Sequence, residues 1–347
     1  MIRRVLIAMG GNAIKQADER GTSEEQFRNC EETAKIIVDL LGSLGPENRL
    51  AITHGNGPQS GNLLVQQEEA QDLVPPQDLD IIGAMTQGQI GYMLMRSLQN
   101  ELVKCTDWRR ELGEKGRVVA FVNQVLVDKE DPDFLDPTKP VGEFFSKEEA
   151  EKLVEEKGYV LNPPAGKEYL DKKMKGMVIK QVKPLESTDR PFRRVVPSPD
   201  PIRNIESEAI KNMLDMGYVV IASGGGGIPV IKEDGRLRGV FAVIDKDLAG
   251  ERMAEAIDAN EFYILTDIDK VKINFHKPDE ADIDRMTISE AKKYLDEGHF
   301  LAGSMLTKVK ACIRFMEGAN GKKAFIGHLA HAKDVLYGRG GTEICRD

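Results

Sequence analysis

Apolar residues along this chain fall into short solid runs that end at glycines, alternating with longer stretches in which they recur every three or four positions. The runs are Val5 to Met9, Arg49 to Thr53, Val118 to Val122, Tyr218 to Ala222, Phe262 to Leu265 and Lys323 to Gly327. Solid runs of this kind, rich in β-branched residues, predict strands of a parallel sheet buried on both faces. Helical spacing predicts helices over 23–43, 62–69, 81–104, 147–157, 201–216, 248–257 and 289–297, with a further one that opens at Gly303–Lys308 and runs through Phe315. Thr22 or Ser23 is placed to cap the first of these, which turns Ile36, Ile37, Leu40 and Leu41 inward. In the third, Ile82, Met85, Ile90, Met93, Met95 and Leu98 recur at helical spacing, and the methionines read as core or subunit-interface packing.

Three of the strands run straight into glycine turns: Gly10-Gly11-Asn12-Ala13, His54-Gly55-Asn56-Gly57-Pro58 and Ser223-Gly224-Gly225-Gly226-Gly227. Strand, glycine turn and helix in repeated succession predict an α/β fold with its site at the carboxyl ends of the strands. Between 128 and 201 the pattern breaks. Asp131-Pro132-Asp133, Asp136-Pro137-Thr138-Lys139-Pro140, Asn162-Pro163-Pro164 and Lys183-Pro184 interrupt it, which predicts a protruding subdomain. That segment looks charged and poor in large apolar residues, so it is expected to pack loosely and to act as a lid, with Lys139 held between two prolines.

Composition narrows the class. The 347 residues are 41% hydrophobic and 30% charged, ordinary values for a globular enzyme. The net charge of −9, without a compensating basic stripe, excludes nucleic acid as a partner. No run of eighteen apolar residues is present, so no membrane span is expected. Cys30, Cys105, Cys312 and Cys345 are scattered without ligand spacing, which argues against disulfides or zinc and for a reducing, cytoplasmic setting. His276, His299, His328 and His331 likewise show no ligand spacing, and no metal-ligating set is expected.

Neither G-x-x-x-x-G-K-[ST] nor a strand-linked G-x-G-x-x-G occurs, so P-loop and dinucleotide-binding sites lose their usual support. Three glycine turns converging on one sheet edge can instead cradle a phosphoryl group through backbone N–H groups. On a net-negative chain such a site must reverse the charge locally, which singles out Lys246 and its neighbour Asp247, some twenty residues beyond the glycine run.

Taken in order, Gly10-Gly11-Asn12-Ala13, His54-Gly55-Asn56-Gly57-Pro58-Gln59, Gly83 to Tyr92, Pro137-Thr138-Lys139-Pro140, Arg193 to Pro199, Gly224 to Val230 and Val243 to Ala249 strongly resemble carbamate kinase. The resemblance implies one amino-acid kinase domain over 1–347, a three-layer α/β/α sandwich with a mainly parallel central sheet and a protruding subdomain. Its carbamate-binding lobe would cover about 1–200, with the subdomain at about 128–200, and its nucleotide-binding lobe about 201–347. It further implies a homodimer, and phosphoryl transfer between ATP and carbamate to give ADP and carbamoyl phosphate, with Mg2+ carried on the nucleotide. Carried over by position, Gly10, Gly11, Asn12, Gly55, Asn56, Gly57, Ser223, Gly224 and Gly225 would surround the substrate. Lys139 and Lys246 would flank the transferred phosphoryl, Asp245 and Asp247 would orient the lysines or a magnesium-bound water, and Lys246, Asp267, Lys270, Met305 and Lys308 would meet the nucleotide. His54 is read as structural, since carbamate already presents an anionic oxygen and needs no base. The chain departs from the family pattern in a longer 161–192 segment, at Leu306-Thr307 where glycine and proline are usual, and at Lys272 where an aromatic residue is common. Another small-acid kinase of the same fold, or a non-catalytic nucleotide-sensing relative, stays open as an alternative.

Overall fold

All six apolar runs become strands of one sheet. The computed structural model describes residues 2–347 apart from 17, 164–165, 167–176, 276 and 301–304, so His276, the Gly303-Ser304 turn and Lys167, Lys172, Lys173 and Lys175 lie outside the described residues. In chain order the strands are β1 (Arg4–Met9), β2 (Arg49–His54), β3 (Val118–Ala120), β4 (Gln124–Val127), β5 (Lys139–Phe145), β6 (Val160–Leu161), β7 (Val178–Gln181), β8 (Phe192–Val196) and β9 (Pro201–Asn204). They continue as β10 (Val219–Ile221), β11 (Ile228–Glu233), β12 (Arg236–Gly239), β13 (Glu261–Thr266), β14 (Val271–Ile273), β15 (Ala281–Ile283), β16 (Arg285–Thr287), β17 (Lys323–His328) and β18 (Thr342–Cys345). The helices are α1 (Ser23–Leu44), α2 (Gly57–Ala70), α3 (Leu79–Leu102), α4 (Arg109–Glu114), α5 (Lys147–Lys157), α6 (Ser207–Asp215), α7 (Lys246–Ala256), α8 (Ile288–Asp296), α9 (Met305–Glu317) and α10 (Ala332–Leu336).

The central sheet has the order β16-β18-β17-β13-β1-β2-β10-β3, and only its β17–β18 pair is antiparallel. Successive side chains of a strand point to opposite faces. Val5, Ile7 and Met9 therefore join one buried cluster with α1, α3 and α10, while Leu6 and Ala8 join another with α6, α7 and α9. Burial on both faces is why these strands read as solid apolar runs. The result is the α/β/α sandwich.

Two boundaries differ from the sequence reading by more than two residues. Residues 201–204 are strand β9, antiparallel to β4, and the helix expected over 201–216 begins only at Ser207. Pairing wins there because the buried Asn204 side chain accepts hydrogen bonds from Asn123 and Ser223, which only the extended backbone allows. The helix expected from Asn62 starts at Gly57, with Pro58 in its first turn, where a missing N–H costs nothing.

The protruding segment is a four-stranded sheet, β5-β8-β7-β6, with α5 against it. It is not loosely packed. Val141, Phe145, Ala150, Tyr159, Met177, Ile179, Phe192 and Val196 form one core with Leu64, Leu79 and Ile82 of α2 and α3. Their apolar signal was hidden because each strand is short and alternates with charged residues on the solvent face. A buried ion pair, Arg194 to Glu68 at 2.7 Å, ties β8 to α2. Close by, Gly142 (φ +72°) packs on Gly61, where an added Cβ would lie 2.8 Å from the Gly142 Cα.

Candidate active site

The register of the sheet brings the three glycine turns together. Met9 lies opposite His54, and Ile52 opposite Ile221, so β1, β2 and β10 end side by side. Backbone bonds fix the turns: Gly10 N–H donates to Leu265, Gly55 to Met9 and Ala222 to Ile52. At Gly55 a Cβ would lie 3.2 Å from the Gly11 nitrogen and 3.4 Å from Cδ of Lys246. Glycine there lets the first two turns touch and lets the Lys246 chain pass over them.

The four-glycine run works differently from the bare phosphate cradle that its composition suggests. A Cβ at Gly224 would fall 2.3 Å from Nε2 of His54, and one at Gly225 (φ +65°) 2.1 Å from Nδ2 of Asn56. Ser223 and Gly224 to Gly226 are buried, and the space their missing side chains leave is filled by His54 and Asn56. The run thus seats the second turn. Asn56 is held further by donating to Thr86 Oγ1, while Gln87 bonds to the Asn123 N–H and to the Gly224 carbonyl. Thr86 and Gln87 lie in the Gly83–Tyr92 stretch. Thr86 falls on the Ile82–Ile90 stripe of α3, four residues from each, where an apolar residue is expected, and that was the signal for its role.

Over these turns stand three lysines and two aspartates drawn from three parts of the chain. Asp245 caps α7, accepting the Asp247 N–H at 2.9 Å, and its other oxygen binds Lys139 of β5 at 2.7 Å. Asp247, 2% exposed, binds Lys246 at 2.5 Å through one oxygen and Lys308 of α9 at 2.7 Å through the other. Burial alone would raise the Asp247 carboxyl, but the two ammonium groups hold it far below the usual carboxylate range. Burial would raise Asp245 too, but Lys139 and Lys246 together leave it lowered. Burial pushes Lys246 down against the pull of Asp247, whereas for Lys308 burial is overcome by Asp247, Asp245 and Asp267 together, which raise it. Charged as paired, the cluster carries one net positive charge at the amino end of α7, whose dipole adds to it. It is built for an anion. Each aspartate oxygen has an N–H or ammonium partner, so these carboxylates hold the lysines in place.

His54 is buried with Nδ1 3.0 Å from the Gly55 carbonyl, and burial lowers it to about 4. It is neutral and packed, as read from the sequence.

Beside Lys308, a cavity of about 380 Å³ is lined by Asp267, Lys270, Lys272, Phe275, Phe300 and Met305, among others. Three of the residues assigned to the nucleotide, Asp267, Lys270 and Met305, therefore share one cavity. Lys272 stands in its wall with its charge taken by Glu280 and Asp282 at 2.6 and 3.3 Å. A second cavity, beside Gly57 and Pro58, is lined by Lys15, a cation no motif marked, and by Arg193, which opens the Arg193–Pro199 motif with no role assigned to it there. Gly10, Gly11 and Asn12 lie where β1 ends, in and beside the 3-10 turn Gly11–Ala13.

A parallel sheet with glycine turns and a buried lysine–aspartate cluster at its carboxyl edge defines an α/β protein that handles phosphoryl groups without a P-loop. The chain belongs to the amino acid kinase family, which matches residues 3–328, and its close relatives there are carbamate kinases. It is 45% identical over 348 residues to the carbamate kinase of Thermococcus kodakarensis, covering 100% of both chains, and 43% identical over 346 residues to that of Pyrococcus horikoshii, covering 99% of both. The structure of Giardia lamblia carbamate kinase bound to AMP-PNP superposes with a TM-score of 0.81 at 36% identity, covering 100% of this chain and 99% of that one.

Proposed function

We propose that this protein is a carbamate kinase, catalysing reversible phosphoryl transfer between ATP and carbamate. The observation that carries the reading is the Lys139–Asp245 and Lys246–Asp247–Lys308 cluster standing over three converging glycine turns. Phosphoryl transfer spreads negative charge over equatorial oxygens and asks the protein chiefly for positioning and neutralisation. Lys139 and Lys246 supply the charge at the transferred group, Lys308 at the nucleotide phosphates, and the aspartates hold the ammonium groups in place so that no reorganisation is needed in the transition state. Gly10, Gly11, Asn12, Gly55, Asn56 and Gly57 are the proposed enclosure of carbamoyl phosphate, with Ser223, Gly224 and Gly225 supporting it from below. The half before residue 200 serves the carbamate end and the half after it the nucleotide end, where the Lys270–Met305 cavity takes the base. Mg2+ enters with the nucleotide as part of the substrate.

A homodimer is supported by Ile81, Met85 and Tyr92, which lie exposed on one stripe of α3. A cytoplasmic setting is supported by four unpaired thiols. No helix among the described residues is long and apolar enough to cross a membrane.

The test is ATP formation from ADP and carbamoyl phosphate, run beside acetyl phosphate and a panel of other acyl phosphates. Turnover of carbamoyl phosphate well above every other donor is expected. Equal or preferred turnover of another acyl phosphate would replace carbamate with that acid.

A further inference from the structure

β13 and β17 are neighbours in the central sheet, with Thr266 opposite His328. The segments that leave their carboxyl ends therefore emerge together, and they place Asp269 next to two histidines. His328 ends β17 and His331 closes the 3-10 turn Leu329–His331 that follows. A 3-10 turn eclipses residues three apart, which is how two histidines without helical ligand spacing come to face each other. Their ring centroids are 5.4 Å apart, and His331 Nε2 lies 3.9 Å from Asp269 Oδ1. One ligand atom from each of the three falls within 4.8 Å of the others.

We infer that Asp269, His328 and His331 form a binding site for a divalent transition metal of the zinc, cobalt or nickel type, separate from the magnesium that accompanies the nucleotide. Two imidazole nitrogens and one carboxylate oxygen suit these borderline ions, whereas magnesium prefers an all-oxygen shell. Three protein ligands leave the remaining positions to water. Ligand atoms around a zinc-sized ion stand closer together than 4.8 Å, so the side chains must draw inward. Asp269 and His331 are exposed and, among the described residues, have no hydrogen-bonded partner to give up, so rotation is open to them. His328 does have one: its Nδ1 accepts the Ala330 N–H at 3.0 Å, and that bond is exchanged for the metal.

The site lies beside the nucleotide cavity, whose wall includes Asp267, Asp269 and Lys270. A bound ion would tie the segment after β13 to the turn after β17 and restrain the loop that carries Asp267 and Lys270. The inference does not depend on the identity of the acyl substrate.

The experiment uses the full chain freed of metal by chelation. Zn2+ is titrated by calorimetry, and Co2+ by its visible absorption, which reports imidazole ligation and coordination number. One equivalent of each is expected to bind in the presence of excess Mg2+. His331→Ala and Asp269→Asn should each weaken binding by about tenfold or more. His331→Ala should leave metal-free turnover unchanged. Zn2+ should also raise the melting temperature of the wild-type chain and not that of His331→Ala. Absence of binding up to millimolar Zn2+, or equal binding by the wild type and both variants, would overturn the site.

Discussion

Lys246 reaches Asp247 across the first two glycine turns, and that geometry sets what its loss does. In the proposed reaction Lys246→Ala removes a preorganised cation from the transferring group, and kcat is expected to fall by about a hundred- to thousandfold, roughly 3 to 4 kcal/mol, with a smaller change in nucleotide KM. Steady-state kinetics with ADP and carbamoyl phosphate checks this, and a variant within threefold of wild type would remove Lys246 from the mechanism. At the same scale, two buried titratable groups push the stability against pH in opposite directions. His54 is lowered from 6.5 to about 4, so as the pH falls between those values only the unfolded chain takes the proton, and about 3 kcal/mol of stability is lost. Burial raises Glu251 from 4.5 to about 7, so the folded chain keeps the proton in that window and the contribution is present below 4.5 and lost as the pH rises through 7. Denaturant titrations at stepped pH should show His54→Gln flattening the acid-side loss and Glu251→Gln flattening the opposing one. Unchanged slopes in both would refute the assignment.

At the scale of elements, the subdomain carrying Lys139 is positioned by α2 as much as by its own strands. Lys139 pairs with Val196 and Val141 with Arg194, and Arg194 is locked to Glu68 on the helix whose first turn carries Gly57. Arg194→Met leaves the buried Glu68 with only the more distant Lys157, at 3.8 Å, and the Tyr159 hydroxyl, and is expected to cost about 3 kcal/mol, while Arg194→Met with Glu68→Leu recovers much of it. Urea unfolding of the two variants measures both. A double variant no better than the single would show that the pair does not couple. The second glycine turn depends in the same way on the third, since a methyl at Gly225 would collide with Asn56.

Across the whole molecule, the subdomain has a core continuous with α2 and α3, so β7 and β8 should exchange their amides slowly even in the free protein. Added ADP and carbamoyl phosphate should protect chiefly 137–141, the segment that carries Lys139, and Lys139→Ala should lose that gain. Equal exchange there with and without ligands would make Lys139 a fixed part of a preformed site.

The chain by itself determined the six strands of the central sheet, because a strand buried on both faces must be apolar at every position, and it determined the glycine turns, because each follows such a run directly. It also marked Lys139, Lys246 and Lys308 by resemblance to a family with ordered motifs. Only tertiary structure decided what those lysines pair with: Asp247 takes one ammonium group from its neighbour Lys246 and a second from Lys308, 61 residues on, and no local pattern encodes the second. Tertiary structure also turned residues 201–204 into strand, since Asn204 gains buried partners from β4 and the glycine run that a helix would forfeit. It revealed the subdomain as a packed sheet because half-exposed strands look charged when read in one dimension. It brought Asp269, His328 and His331 together because two neighbouring strands end at the same edge. Periodicity reports which face of an element is buried; which elements meet is set by pairing and packing between positions far apart in the chain.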